Sequence, residues 1–376
     1  MRFLHLADLH LGKKVNGYSM LEDQAYAIKE ILKLVEKENV DMVLVAGDVY
    51  DQPVPSGDAM ALFDDFLTRL KELKKKVLII AGNHDSQERL AFANRLMKGA
   101  DIYISSPFDG KVESLTFEDE FGPINFYLLP YIKPIYLRSL NPDIKLDDFQ
   151  KAMDLVIDSL DLNDKERNVI LSHQFIVGAE KSDSEELYLG GSEAISIDTY
   201  EGFDYVALGH IHKKQAFRQG RIRYPGSLLK YSKSEANYKK TLSIVDMREK
   251  GQVEITEKEI SYLRDMRILE GNFDQVLAYS KTDPNREDYV HINLFDQDQV
   301  FDAQARLREL YPNLMSLAYT NIGEYLDVEG PDIVINQKKA PFELFNEFYE
   351  YRKNKKLDHD KEVLVKEIIS QVWGSL

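Results

Sequence analysis

Short apolar runs separated by helix-periodic polar stretches organise most of this chain. FLHLA (3–7), MVLVAG (42–47), VLIIAG (77–82), NVILS (168–172) and YVALG (205–209) have the length and β-branched content of buried strands. Between them, apolar positions recurring with a 3.6-residue period predict helices over about 20–39, 57–75, 86–98 and 147–160. That alternation signals an α/β layer fold. Residues 112–129 read as two strands around a turn at Phe121-Gly122-Pro123. From 215 to 260, the alternation in TLSIVDM and VEITEKEI predicts a second, more antiparallel sheet closing over the first.

A new unit begins near Asp265, with the order strand, helix, strand (YVHINLF), helix (about 301–311) and strand (LMSLAYT). Residues 325–341 lack periodicity and hold Gly330, Pro331 and Pro341, the composition of a linker. Two terminal helices follow. The first carries Phe342, Phe345, Phe348 and Tyr349 on one stripe, and the second Leu364, Ile368 and Trp373. Such a stripe is most often core. Beyond a linker and with little core of its own, it also suits a docking surface. The expected domains are 1–264, 265–330 and 331–376.

Composition narrows the chemistry. The 376 residues contain no cysteine, which excludes disulfides, thiolate catalysis and zinc ribbons. The amino-terminal run is interrupted by Asp8 and His10, so it reads as neither a signal segment nor a span, and no other apolar stretch reaches the ~20 residues a spanning helix needs. A cytoplasmic protein is expected. No GxxxxGK[ST] loop is present, which excludes nucleotide binding by that route. The net charge of −16 is unevenly spread. Residues 213–240 hold nine Lys/Arg and one acid, Glu235. A basic face beginning right after His212 would suit a polyanion, whereas an isolated charge run is usually just a solvated surface.

The informative feature is where the strands end. The first runs into Asp8 and His10, the second into Asp48, the third into Asn83 and His84, the fourth into His173 and the fifth into His210 and His212. Ligands gather outside the carboxyl ends of strands in such sheets, so five distant segments would deliver one Asp/Asn/His cluster to one rim. Residues at i and i+2 of an extended segment share a side, which lets each of the pairs Asp8/His10 and His210/His212 reach one pocket. Five of the eight histidines lie in these motifs; His5 is expected to pack inside the first strand, and His291 and His359 to be structural or solvent-facing. A mixed carboxylate–imidazole set suits Mn, Fe or Zn. With His84, next to Asn83 on a tight turn, pointing elsewhere, seven candidate ligands remain, too many for one ion and suited to two about 3.5–4 Å apart, the spacing of a clamp for in-line phosphoryl displacement.

Together DLH (8–10), GDVYD (47–51), GNHD (82–85), LSHQ (171–174) and GHIH (209–212) resemble the calcineurin-like metallophosphoesterases. FLHLADLHLG, LGHIHKKQ and YPGSLLKYSKSE resemble, more narrowly, the SbcD family of bacterial nuclease subunits, over nearly the whole chain. The resemblance implies a two-sheet α/β sandwich flanked by helices, a small α/β capping domain that helps hold DNA, and a carboxyl-terminal helical hairpin. It implies one metal on Asp8, His10, Asp48 and His212 and a second on Asp48, Asn83, His173 and His210. Asp48 would bridge, and His84 would sit over the scissile phosphate and assist the leaving oxygen, with Asp85 orienting it. Archaeal and eukaryotic relatives carry a histidine three residues after the bridging aspartate; here that position is Asp51.

The implied activity is metal-dependent hydrolysis of DNA phosphodiesters, by 3′→5′ exonuclease and single-strand endonuclease action, in repair and recombination. The implied cofactors are two divalent ions, Mn²⁺ foremost, with Mg²⁺, Fe²⁺ and Zn²⁺ as other candidates. The implied partners are DNA, a second copy of the chain through the helices near 57–75 and 86–98, and an SbcC-type SMC-like ABC ATPase gripped by the hairpin. The competing reading is a stand-alone small-molecule phosphodiesterase, against which the extra module, basic stretch and hairpin speak. A catalytically dead scaffold should have lost ligands, and none is missing.

Overall fold

The computed structural model describes residues 1–140, 146, 148–185, 193–320, 341–353 and 355–373. Two compact units divide the chain: Met1–Arg267 with Glu287–Tyr289, and Ile268–Arg286 with Val290–Leu376.

The first unit is built on two six-stranded mixed sheets. In one, Arg2–Leu6, Met42–Ala46, Lys76–Ile80 and Ile102–Ile104 run parallel side by side, and Thr241–Met247 and Val253–Glu259 extend it antiparallel beyond Arg2–Leu6. In the other, Ile222–Tyr224, Tyr205–Gly209, Arg167–His173 and Gly122–Leu128 run parallel, with antiparallel edges at Gln215–Phe217 and Glu113–Asp119. The sheets face each other. Phe3, Leu44, Leu78, Phe126, Val169, Leu171, Tyr205 and Val245 form the shared core. Side chains alternate across a strand, so the neighbours Ile170, Val206 and Leu208 face outward. There they pack under Met153, Val156 and Ile157 of the helix Phe149–Asp158. Both faces are covered, which is why these strands read as unbroken apolar runs.

Two expectations are corrected here. The segment 215–260 forms no sheet of its own. Its first two strands complete the second sheet and its last two complete the first, because the Arg2–Leu6 strand has a free edge that only a returning strand can pair. The helix expected over 86–98 splits into Gln87–Leu90 and Asn94–Met97, broken where Ala93 takes φ 61°, a left-handed conformation that ends helical hydrogen bonding. The helix over 57–75 is Gly57–Glu72, capped by Ser56 and burying Ala59, Phe63, Phe66, Leu67 and Leu70. A short helix at Pro134–Leu140 was not legible in the pattern.

In the second unit, strands Met266–Gly271, Tyr289–Leu294 and Leu314–Tyr319 make a three-stranded sheet, its helices Phe273–Ser280 and Ala303–Arg308 packing on it through Phe273, Val276 and Leu307. The helices Pro341–Lys353 and His359–Trp373 form a hairpin, with Lys366 over the Phe342 ring. Phe348, Leu364 and Ile368 are exposed on it. The linker expected at 325–341 lies outside the described residues apart from Pro341. Among the described residues no helix is long and apolar enough to cross a membrane.

Candidate metal centre

All five ligand-bearing strands end at one place, three from the first sheet and two from the second. Backbone hydrogen bonds lock the loops together: Asp8 N donates to Gly47 O at 3.1 Å, and His10 N to Asp48 O at 3.0 Å. Asp8, His10, Asp48 and His210 all have positive φ (53°, 45°, 50° and 101°). Left-handed backbone at non-glycine residues costs of order 1–3 kcal/mol each and persists where the surroundings over-determine it. Here it turns each side chain inward. The glycine before the ligand serves close approach: a Cβ on Gly82 would run into the Asp48 carboxylate, and one on Gly209 into the Ala46 carbonyl.

The donor atoms converge. His10 Nε2 lies 3.0 Å from His212 Nε2, and Asp48 Oδ2 lies 3.6 Å from His10 Nε2 and 3.3 Å from His173 Nε2. Asn83 Oδ1 is 3.0 Å from His173 Nε2 and 2.9 Å from His210 Nδ1. Asp8 uses Oδ1 to accept the His210 amide, while its buried Oδ2 has no hydrogen-bond partner. An unpartnered buried carboxylate oxygen is costly unless a cation takes it. The triplets Asp8/His10/His212, His10/Asp48/His84 and Asp8/Asp48/His173 each bring donor atoms within 4.8 Å of one another. This donor set fits divalent ions.

The electrostatics point the same way. Burial holds His10 and His212 well below the usual imidazole range, so both present lone pairs at neutral pH. Burial also pushes the Asp8 carboxyl well up. For Asp48 and His173, burial is outweighed by their mutual attraction: Asp48 is held well below the carboxylate range and His173 is raised to about 9. In so dry a pocket a bound cation would stabilise the charged forms of both Asp8 and Asp48.

Neighbouring groups orient the ligands. His173 Nδ1 donates to the Ala46 carbonyl at 2.8 Å, which turns Nε2 to the cluster, where a bound ion would take the place of its proton. Gln24, fully buried on the helix Leu21–Lys37, donates to His10 O at 2.7 Å and accepts from Gly12 N at 3.0 Å, fixing the first loop. Tyr231 OH donates to Leu9 O at 2.6 Å.

His84, Asp85 and Asp51 sit beside these ligands and are held differently. His84 Nδ1 contacts the Asp51 backbone carbonyl at 3.0 Å, and Nε2 lies 4.0 Å from Asp48 Oδ2. Asp85, expected to orient His84, accepts with its carboxylate from Val49 N (3.1 Å), Tyr50 N (3.0 Å) and Gly82 N (2.9 Å), which stitches the Asp48 loop to the loop that carries His84. Burial, then the Asp48 charge, raise Asp85 to about 6. Asp51 sends its carboxylate to Lys13 at 2.6 Å, with Oδ1 3.7 Å from His10 Nδ1.

Residues 1–214 match the calcineurin-like phosphoesterase family. The SbcD component of the SbcCD nuclease from Staphylococcus epidermidis is 30% identical over 322 residues, 85% of each chain. The chain belongs to the calcineurin-like phosphoesterases, in the SbcD family. Residues 262–353 match a further SbcD-type family, described as a type 5 capsule protein repressor C-terminal domain. Family membership makes the chain a metal-dependent phosphoester hydrolase. Solved structures that resemble it more loosely include a dimetal phosphatase from Danio rerio (TM-score 0.41, 14% identity, 69% of this chain and 99% of that one) and a protein of Thermus thermophilus (TM-score 0.37, 14% identity, 68% and 97%).

Sequence reading missed the groups that hold the ligands: Gln24, Tyr231, Ser184, Glu185, Glu193 and Glu235. Tyr231 and Glu235 lie within the YPGSLLKYSKSE segment, where no pattern points to this role, and the others come from scattered loops and a helix interior that no motif marks. The basic stretch is largely paired within the fold. Lys213, Lys214, Arg218, Arg223, Lys230, Lys239 and Lys240 each pair with a carboxylate, and Arg223, Lys230 and Lys240 are buried.

Proposed function

We propose that this chain is the nuclease subunit of an SbcCD-type complex, hydrolysing DNA phosphodiesters with two divalent ions, Mn²⁺ foremost. The observation that carries the reading is the buried Asp48 carboxylate, which lies within 3.6 Å of His10 on one side and 3.3 Å of His173 on the other. Asp8, His10, Asp48 and His212 would hold one ion; Asp48, Asn83, His173 and His210 the other. Such a pair supplies charge neutralisation at a phosphate and an acidified water near neutral pH.

The chain's own residues do the rest. Asp48 fixes the His84 amide at 2.9 Å, and the Asp51 carbonyl fixes the ring. Held so, with its Nδ1 proton on that carbonyl, His84 would turn Nε2 to the phosphate and assist the leaving oxygen. Asp51 acts through Lys13 and through its carbonyl, in the place where other members have a histidine. Asp85 acts by holding the two loops.

Substrate and partners follow the same reading. Because the 213–240 cations are largely paired internally, DNA must be gripped in part by other surfaces, and an SbcC-type ATPase partner supplies them. The exposed Phe348, Leu364 and Ile368 of the terminal hairpin suit docking to that partner. Residues 265–330 would form the capping domain. Val54, Met60 and Phe92, exposed around a groove beside helix Gly57–Glu72, and Leu96, exposed next in sequence to the groove residue Met97, suit pairing with a second copy. The complex would act in the cytoplasm, on DNA.

The test is cleavage of labelled single- and double-stranded DNA, and of a small phosphodiester, with Mn²⁺ for wild type, His84→Ala and Asp48→Ala. DNA cleavage lost in both variants supports the reading; hydrolysis of the small ester alone would replace it with a small-molecule phosphodiesterase.

A further inference from the structure

His212 is held at every polar atom except one. Its backbone amide donates to Glu185 Oε1 at 2.7 Å, and its carbonyl accepts from Lys240 Nζ at 2.8 Å. Its ring Nδ1 lies 2.6 Å from Ser184 Oγ, which in turn lies 2.6 Å from Glu235 Oε1. Only Nε2 faces the cluster, 3.0 Å from His10 Nε2.

Ser184 Oγ has one more neighbour, Ser182 Oγ at 2.9 Å, which can send its own proton to Ser184 or to Glu185 Oε2 at 2.7 Å, so the Ser184 proton is settled by Glu235. Glu235 is fully buried, paired with the Lys240 ammonium, and accepts at Oε1 from Ser232 Oγ (2.9 Å) and Tyr231 N (3.2 Å). In that company it is a carboxylate and can only accept. The single hydroxyl proton of Ser184 therefore goes to Glu235. Ser184 Oγ is then an acceptor toward the ring, so the ring proton sits on Nδ1 and the lone pair on Nε2.

We propose that Ser184, backed by Glu235, is a positioning residue that fixes the tautomer and orientation of His212 as a metal ligand. Ser184 touches neither metal nor substrate and acts through His212 alone. Among the described residues, the other histidine of the GHIH pair meets a carboxylate and no hydroxyl: its Nε2 faces Glu193 Oε1 at 3.5 Å, and Glu193 is tied to Lys181 at 3.0 Å. The two ion sites are thus supported independently from the same stretch of chain, and removing Ser184 weakens one of them. This rests on the two-metal reading above.

The test is Mn²⁺ titration of the full chain by calorimetry, with low-temperature electron paramagnetic resonance to read the coupling of paired ions. Wild type binds two Mn²⁺. Ser184→Ala binds one unchanged and the other about 10–100-fold more weakly, the usual effect of losing an outer hydrogen-bond partner of a ligand. Ser184→Thr, which keeps the hydroxyl, restores the weak site, and the melting temperature in chelator is the same for all three. Two unchanged sites in Ser184→Ala would overturn the inference while leaving the two-metal reading standing. Equal weakening of both sites with a lowered metal-free melting temperature would overturn it as well, making Ser184 merely structural. Fewer than two sites in wild type would remove the two-metal reading and this inference with it.

Discussion

Asp48 Oδ1 accepts the backbone amide of His84 at 2.9 Å. The carboxylate proposed to be shared between two ions therefore also sets the loop that carries the candidate acid. On that reading, ion binding and positioning of His84 would be coupled through one side chain. Replacing Asp48 should damage both, whereas replacing His84 should damage only one.

His84→Ala is accordingly expected to bind Mn²⁺ like the wild type and to lose about 10²–10⁴-fold in kcat, the usual range for a general acid–base group. Calorimetry and steady-state cleavage on the same preparation check this. A parallel loss of metal affinity would make His84 a ligand instead.

Asp85→Ala leaves three buried amides, those of Val49, Tyr50 and Gly82, without an acceptor. An orphaned buried donor costs about 1–3 kcal/mol. A loss of about 3 kcal/mol or more in urea unfolding is expected, together with weaker Mn²⁺ binding because two ligand loops part. Asp85→Asn, which keeps one oxygen acceptor, should recover part of both.

Acid sensitivity has an identifiable source far from the centre. Arg167, almost fully buried, donates to both oxygens of Asp119, at 3.0 and 2.6 Å. Burial alone would raise the Asp119 carboxyl, but the Arg167 guanidinium outweighs it and holds the group well below the usual range. The unfolded chain takes up a proton near pH 3.9 that the folded chain refuses. The pair's stabilisation is therefore complete above about pH 5 and is lost as pH falls below about 4. Asp119→Asn should cost about 3 kcal/mol at neutral pH, as expected for a buried charge left without its partner. Its stability should also fall less steeply than the wild type's between pH 5 and 3, as read by denaturation at each pH.

Phe92, 80% exposed, lines the groove with Val54 and Met60, and Leu96, 82% exposed, is next in sequence to its lining residue Met97. Leu96→Glu should convert a dimer to a monomer in analytical ultracentrifugation. Its effect on the chain's own unfolding should stay within about 0.5 kcal/mol, since a surface change away from buried features costs little. An unchanged sedimentation coefficient would show that this face does not pair copies.

What was legible in the chain followed from period and punctuation. The five strands stood out because both faces of each are covered, which leaves no polar alternation to blur them. The ligands stood out because each follows a glycine or a strand end, where only particular backbones bring two loops close. The destinations of the later strands were not legible: Thr241–Met247 pairs with Arg2–Leu6 across more than two hundred residues, and nothing local encodes that edge. The break at Ala93 was hidden because alanine is the strongest helix former and gives no signal of a left-handed turn. Ser184, Glu235 and Gln24 were hidden for another reason. A hydrogen-bond partner needs only the right atom at the right place, and any loop can supply it.

The central claim is that Asp48 joins two ions in one site. Low-temperature electron paramagnetic resonance of metal-stripped protein titrated with Mn²⁺ tests it most directly. Two ions per chain with the multiline signature of an exchange-coupled pair, reduced to isolated ions or lost in Asp48→Ala, is the predicted result. One ion per chain, or two uncoupled ions with DNA cleavage intact in Asp48→Ala, would contradict it.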